Sequence, residues 1–312
     1  MKIGRNPQTA DGGFTSGPDL SAPLPAASLS VEEIAAHPRL IPCIREQASA
    51  LLSIHAVNPR IASIFATQQR WLMAHLALAH YFRSAGSEPG AAGIHAAQFL
   101  EAIASDHVAS RNTADAFLKE MQKYGYLRNA PAARDRRMRL LEPTNISVEA
   151  IAGWLAVHLA TLDALDGGGR RAAFEAQPQS IAVIQPRIAD GLLRSTAIRA
   201  PAPAFSLFTW LNEGGVVMDW LIAGLSEVSP DGRRILSTVS SFADLGDRIL
   251  LSRSHLVRKL RMAEAAGSLG WLGDRGKSTM WVSADFALEY HNQQAVKLAI
   301  VDSAFHESFA QG

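Results

Sequence analysis

Two stretches of the chain, Ser110 to Leu127 (SRNTADAFLKEMQKYGYL) and Ser252 to Leu269 (SRSHLVRKLRMAEAAGSL), repeat one plan 142 residues apart. The repeat constrains the fold because its matches fall at positions with structural jobs. A Ser-Arg pair opens each copy, Leu118 and Leu260 lie inside, Gly125 and Gly267 close them, and Leu127 and Leu269 stand two residues beyond. Serine at such a position caps a helix, since its hydroxyl accepts a bond from an otherwise unpaired N–H of the first turn. Apolar residues recur three and four apart, at Ala114, Leu118 and Met121 and at Leu256, Leu260 and Ala263, so one face is built for burial. Glycine fits the left-handed residue that ends a helix. Short β-prone runs around a basic turn come next in both copies.

The face opposite each apolar stripe carries residues that bond phosphates and base edges. They are Ser110, Arg111, Asn112, Thr113, Asp115 and Lys119 in the first copy, and Ser252, Arg253, Ser254, His255, Arg258 and Lys259 in the second. A polar helix face alone is usually just solvated; cap, stripe, glycine and hairpin recurring in one order point further. A shorter helix precedes each, His95 to Ser105 and Ser241 to Leu250, as a helix-turn-helix requires. The expected fold is mainly α with small β-hairpin wings: two winged helix-turn-helix modules joined by a helical, dimerisation-type bundle.

The first wing reads Asp135-Arg136-Arg137-Met-Arg139-Leu-Leu-Glu-Pro-Thr144. This run resembles the signature of MarR-type transcription regulators, with matching Asp-to-Thr spacing. The resemblance is motif-specific over Gln98 to Thr144 and architectural over Ser229 to Phe286. It implies a two-stranded wing braced by Asp135 and Arg137, with Arg128, Arg134 and Arg136 approaching the DNA. Arginines enter narrow minor grooves because negative potential concentrates there. The second wing departs from the signature, since Lys277 and Thr279 stand where the bracing pair would be, but Arg275 and Lys277 keep its turn basic.

Net charge is only +1, so any affinity for nucleic acid must come from local charge. Arg111 to Arg139 holds eight basic residues against three acidic, and Arg248 to Lys277 seven against two. Two basic patches in a balanced chain suit double-stranded DNA as partner. At 312 residues and 48% hydrophobic, the chain can build sizeable cores. One cysteine, Cys43, excludes a disulfide framework or a cysteine-rich zinc site; a buried thiol is expected, with redox sensing as the alternative. No secretory signal or membrane-length apolar run stands out, so a cytoplasmic protein without membrane association is expected. His75 and His80 are five apart, which does not suit joint metal binding, and no nucleophile elbow or Walker loop is present. The expectation is therefore no enzyme, no metal and no cofactor.

The chain divides into a disordered tail (1–30), N-terminal helices with the first module (31–166, module about 91–144), a linker and helix (167–203), and a second half (204–312, module about 229–286). Within the second half, one helix is expected over Ala204 to Leu225. Each half has the plan of one MarR-type subunit, so the chain reads as a single-polypeptide pseudo-dimer, with further homodimerisation as the alternative. A dimer of this kind sets its recognition helices roughly 34 Å apart, in successive major grooves. The resemblance also implies a small aromatic or lipophilic effector held between helices and module. Trp71, His75, Trp154, His158, Trp210 and Trp220 are the candidate lining. The competing expectation is an adaptor that docks protein through the same modules.

Overall fold

The computed structural model describes residues 23–57, 67–87, 93–130, 139–209, 214–239 and 253–309. It is mainly helical with two small antiparallel sheets. Helices α1 (Val31–Ala35), α2 (Leu40–Val57) and α3 (Gln68–Ser87) lead into strand β1 (Ile94–His95), α4 (Ala96–Ser105) and α5 (Arg111–Lys123). Then come β2 (Leu127–Asn129), β3 (Leu140–Pro143) and the long α6 (Asn145–Asp166). The middle of the chain is α7 (Arg170–Ala176), α8 (Ile181–Arg194) and α9 (Thr196–Arg199). The remainder is α10 (Pro203–Thr209), α11 (Gly214–Ala223), β4 (Leu225–Val228), β5 (Arg234–Ser237), α12 (Arg253–Ala265), β6 (Leu269–Trp271), β7 (Met280–Ser283) and α13 (Ala284–Phe309).

The internal repeat is carried by the elements themselves. Helix α12 begins and ends 142 residues after α5, as β6 does after β2. Gly125 and Gly267 close the two helices at φ of 77° and 73°, a conformation that costs glycine nothing and a side chain much. The first sheet has the order β1-β3-β2, and the second contains β5-β7-β6 with the extra strand β4 on its edge. Asn129 pairs with Leu141, and its counterpart Trp271 pairs with Met280, so the second hairpin is three residues tighter. Beyond the hairpins the copies therefore run 139 residues apart, which superposes the starts of α6 and α13. His158 then corresponds to Lys297, and Asp163 to Asp302.

Local chemistry explains the boundaries. Ser110 Oγ accepts from Thr113 N–H at 3.2 Å, capping α5 as expected. Thr144 sits in extended backbone ahead of α6; its hydroxyl donates to the Gly125 carbonyl at 2.8 Å and its N–H to Tyr126 at 3.0 Å, stitching the hairpin to the end of α5. Of the helix expected over Ala204 to Leu225, α10 and α11 are described and residues 210–213 are not; its end is corrected, because Leu225 opens a strand. Ser-Pro-Asp-Gly at 229–232 makes the turn between β4 and β5, with Ser229 and Asp231 bonded to each other and to the backbone of 233–234.

The region read as linker and helix is mostly core. Ile181, Ile184, Ile188 and Leu192 of α8 are buried, and α8 packs on α3 and α13. At that crossing a Cβ on Gly191 would sit 2.5 Å from Ile300, so the close approach needs glycine there. Most of the tail expected over 1–30 lies outside the described residues; at its end Ser30 caps α1 through a capping box with Glu33 and Leu29 N–H donates to Asp302. Helix α6 is long and apolar enough, by length and composition, to cross a membrane, contrary to the sequence expectation. Here Leu155, Leu159, Leu162 and Leu165 are buried in the core beside His158 and Thr161.

Two apolar cores result. One unites α1, α2, α6, α8 and α13 with the second hairpin unit; the other belongs to the first hairpin unit and is built on Phe99, Ile103, Leu118 and Leu141. Between α6 and α13 lies a charge cluster. The fully buried Arg170 guanidinium meets Asp302 through Nε at 2.7 Å, Asp166 through Nη2 at 2.7 Å and Asp163 through Nη1 at 3.4 Å. One arginine thus serves both members of a repeated aspartate pair.

Candidate functional site

The exposed face of α5 presents Arg111, Asn112, Thr113 and Lys119, but its charges are already engaged. Arg111 pairs with Glu101, and Asp115 holds Lys119 at 2.6 Å and Arg139 at 2.7 Å. Lys119 and Arg139 keep the Asp115 carboxyl below its ordinary value. Asp115 thus orders the basic side chains around it. On the hairpin, exposed Arg128 pairs with Glu142 at 2.6 Å. In the second unit Arg258 and Lys277 are exposed, Lys259 is half-buried, and Arg275 pairs with Glu264 at 2.6 Å. Arg253, Ser254 and His255 form the first turn of α12. Arg134, Asp135, Arg136, Arg137, Ser252, Trp210 and the short helix expected over Ser241 to Leu250 lie outside the described residues.

Where the two cores meet, they leave a cavity of about 750 Å³, within the range of small-molecule sites. Phe117, Met121 and Tyr126 of the first unit form one wall, and Leu78, Met218 and Tyr290 of the bundle face them. Trp71, His75 and Trp154 line a third side as an aromatic cluster, with His75 4.7 Å from Trp71 and 5.1 Å from Trp154 between ring centroids. His158 stands behind this wall, its ring tilted against Trp154 with centroids 4.0 Å apart, and Nδ1 bonded to the Trp154 carbonyl at 2.8 Å. Trp220 departs from the expected lining: it packs half-buried against the core. Phe205 lines the cavity from α10.

Sequence reasoning missed the polar end of this cavity, formed by Asp219 on α11 and Tyr290, Gln294 and Lys297 on α13. A signal was present, because Asp219 is the lone charge in an apolar helix and Tyr290, Gln294 and Lys297 follow helical spacing on one face. Tyr290 donates its hydroxyl to Asp219, and Gln47 donates to Gln294 at 3.0 Å. Burial pushes Asp219 up to about 6, against the pull of Tyr290 and Lys297. Burial likewise pushes Lys297 down to about 8, with Asp219 opposing, and His75 down to about 3. His75 is neutral at physiological pH, and neither ring nitrogen has a hydrogen-bond partner among the described residues. No group of three or more metal-ligating side chains occurs among the described residues. Comparison with known proteins found no matching family model, curated protein or solved structure.

Proposed function

We propose that this chain is a sequence-specific, double-stranded-DNA-binding transcription regulator, a single-chain pseudo-dimer of two MarR-like winged modules controlled by a small effector. The observation that carries the reading is the repeated unit itself. A helix with exposed polar and basic residues, closed by a left-handed glycine, runs into an antiparallel hairpin whose second strand also pairs with a strand that precedes that helix, in both halves. That topology lets the capped helix enter a major groove while the hairpin flanks it. The two helices differ at Asn112-Thr113 and Ser254-His255, so an asymmetric operator is expected. The cavity supports effector control because Phe117 and Met121 belong to the helix that would read DNA. A ligand that fits one placement of the first unit better than another shifts the population toward it.

A second reading has its own support: Arg111, Lys119, Arg128 and Arg275 all have carboxylate partners within the chain, which weakens the field available to phosphates. In that reading the modules dock protein. Duplex binding by fluorescence anisotropy across a salt series separates the two, comparing wild type with the Arg111→Ala, Arg253→Ala double variant. A regulator binds with steep salt dependence and the double variant flattens the slope by about two. No binding at low salt, where non-specific affinity alone should reach about 10⁻⁴ M or tighter, would refute the DNA-binding reading.

A further inference from the structure

We infer that the cavity binds a lipophilic monocarboxylate, one per chain, with its carboxylate on the Lys297 ammonium and its apolar body between the aromatic wall and the first unit. The inference rests on reading the cavity as an effector site and adds the chemistry of the ligand.

The charged groups at the polar end are not equivalent. Asp219 has a dedicated donor in Tyr290, whereas Lys297 has neither a hydrogen bond nor an ion pair among the described residues. A half-buried ammonium facing a mainly apolar cavity without an acceptor costs free energy that a bound carboxylate would recover. The groups facing Lys297 from the packed elements are Asp219 on α11, His75 on α3 and His158 on α6. Both histidines are held neutral by burial, so neither pairs with the ammonium as a carboxylate would. His75 adds a ring nitrogen with no partner in the cavity wall. The rest of the lining is dominated by apolar and aromatic side chains, including Leu51, Ile54, Leu78, Val216 and Met218. Among the described lining residues Lys297 is the one ammonium, beside the carboxylates of Glu149 and the Tyr290-bound Asp219, and its place in a mainly apolar chamber matches an amphiphile with one anionic head.

The repeat explains why the site is not duplicated among the described residues. At the corresponding position of α6 stands His158, whose ring is turned to the Trp154 carbonyl. The cation is private to α13, so occupancy bears on the first unit and not symmetrically on both.

Calorimetry on the full chain with decanoate, decanol and decylamine tests this. Decanoate should bind one to one, at least about tenfold tighter than decanol, with decylamine weakest. Lys297→Met should abolish the preference for decanoate over decanol while leaving the circular dichroism unchanged, and Lys297→Arg should retain it. Absence of decanoate binding, equal binding of decanol, or an undiminished preference in a folded Lys297→Met variant would overturn the inference. Failure here is distinguishable from failure of the regulator reading: a chain that binds decanoate without binding DNA retains the anion site, and one that binds DNA without binding decanoate loses it.

Discussion

Replacing Arg170 by Met should be among the most damaging single changes outside the apolar core. Arg170 and Asp302 are both fully buried, joined through Nε at 2.7 Å and Nη2 at 3.1 Å. Removing one partner of such a pair strands the other charge, at a cost of about 3–5 kcal/mol. The lower end applies, because Asp302 keeps the Leu29 N–H at 2.8 Å and lies 3.4 Å from His306. Asp163 also keeps two backbone donors, Arg170 N–H and Arg171 N–H, each at 2.9 Å. Asp166 is more exposed and adds little. The expected loss is therefore about 3 kcal/mol in urea unfolding at pH 7, followed by circular dichroism. A double variant, Arg170→Met with Asp302→Leu, removes both charges and should recover part of the loss, since an apolar pair of similar volume replaces a buried ion pair at little cost. A single-variant loss under about 1 kcal/mol, or a double variant less stable than the single, would refute the argument.

Other sites give further outcomes. His75, His158 and His291 are buried with lowered pKa values, about 3 for His75 and about 4 for His291, so below pH 6.5 the unfolded chain takes up protons that the folded chain refuses. Stability should fall as pH drops from about 6.5 toward 4, by roughly 1 kcal/mol per histidine per pH unit. Asp219, raised to about 6, binds its proton in the folded state first and offsets about one histidine between pH 6 and 4; unchanged urea midpoints at pH 7 and pH 5 would contradict this. Gly267→Ala forces a side chain to φ of 73° and should cost about 1 kcal/mol in the same assay, more than an alanine at a helical surface position. Cys43 is 2% exposed and burial raises its thiol pKa, so an aromatic disulfide reagent should label it slowly in the folded protein and promptly in urea. Prompt native labelling would restore the redox-sensing alternative.

The legible parts of this fold were the local ones. Capping serine, apolar stripe and closing glycine act within about four turns, so α5 and its hairpin could be read directly from Ser110, Leu118 and Gly125. The end of the helix expected over Ala204 to Leu225 was not legible, because the hydrophobic spacing runs on into Leu225, which opens β4. Asp166-Gly-Gly-Gly-Arg170 read as a linker because the partner that makes Arg170 structural, Asp302, lies 132 residues away. The aromatic side of the cavity was visible in Trp71, His75 and Trp154, since aromatics declare burial by type. Its charged end was not: lysine and aspartate are surface residues by default, and only the packing of α11 on α2 and the bond from Tyr290 of α13 to Asp219 bring Asp219 and Lys297 to one cavity wall.

Arg170 shows what a repeat inside one chain permits that two separate identical chains would not. In a symmetric pair every side chain is duplicated, so an arginine reaching both members of an aspartate pair would arrive with its twin, and two guanidinium groups would contest the space of one. Covalent continuity releases that constraint: Asp163 and Asp302 share a single cation that only one half supplies. The halves are thereby unequal at their most buried polar contact. Sequence drift in one half cannot be copied into the other without disturbing it, so the exposed helix faces of the two units are free to diverge while the join between them is not.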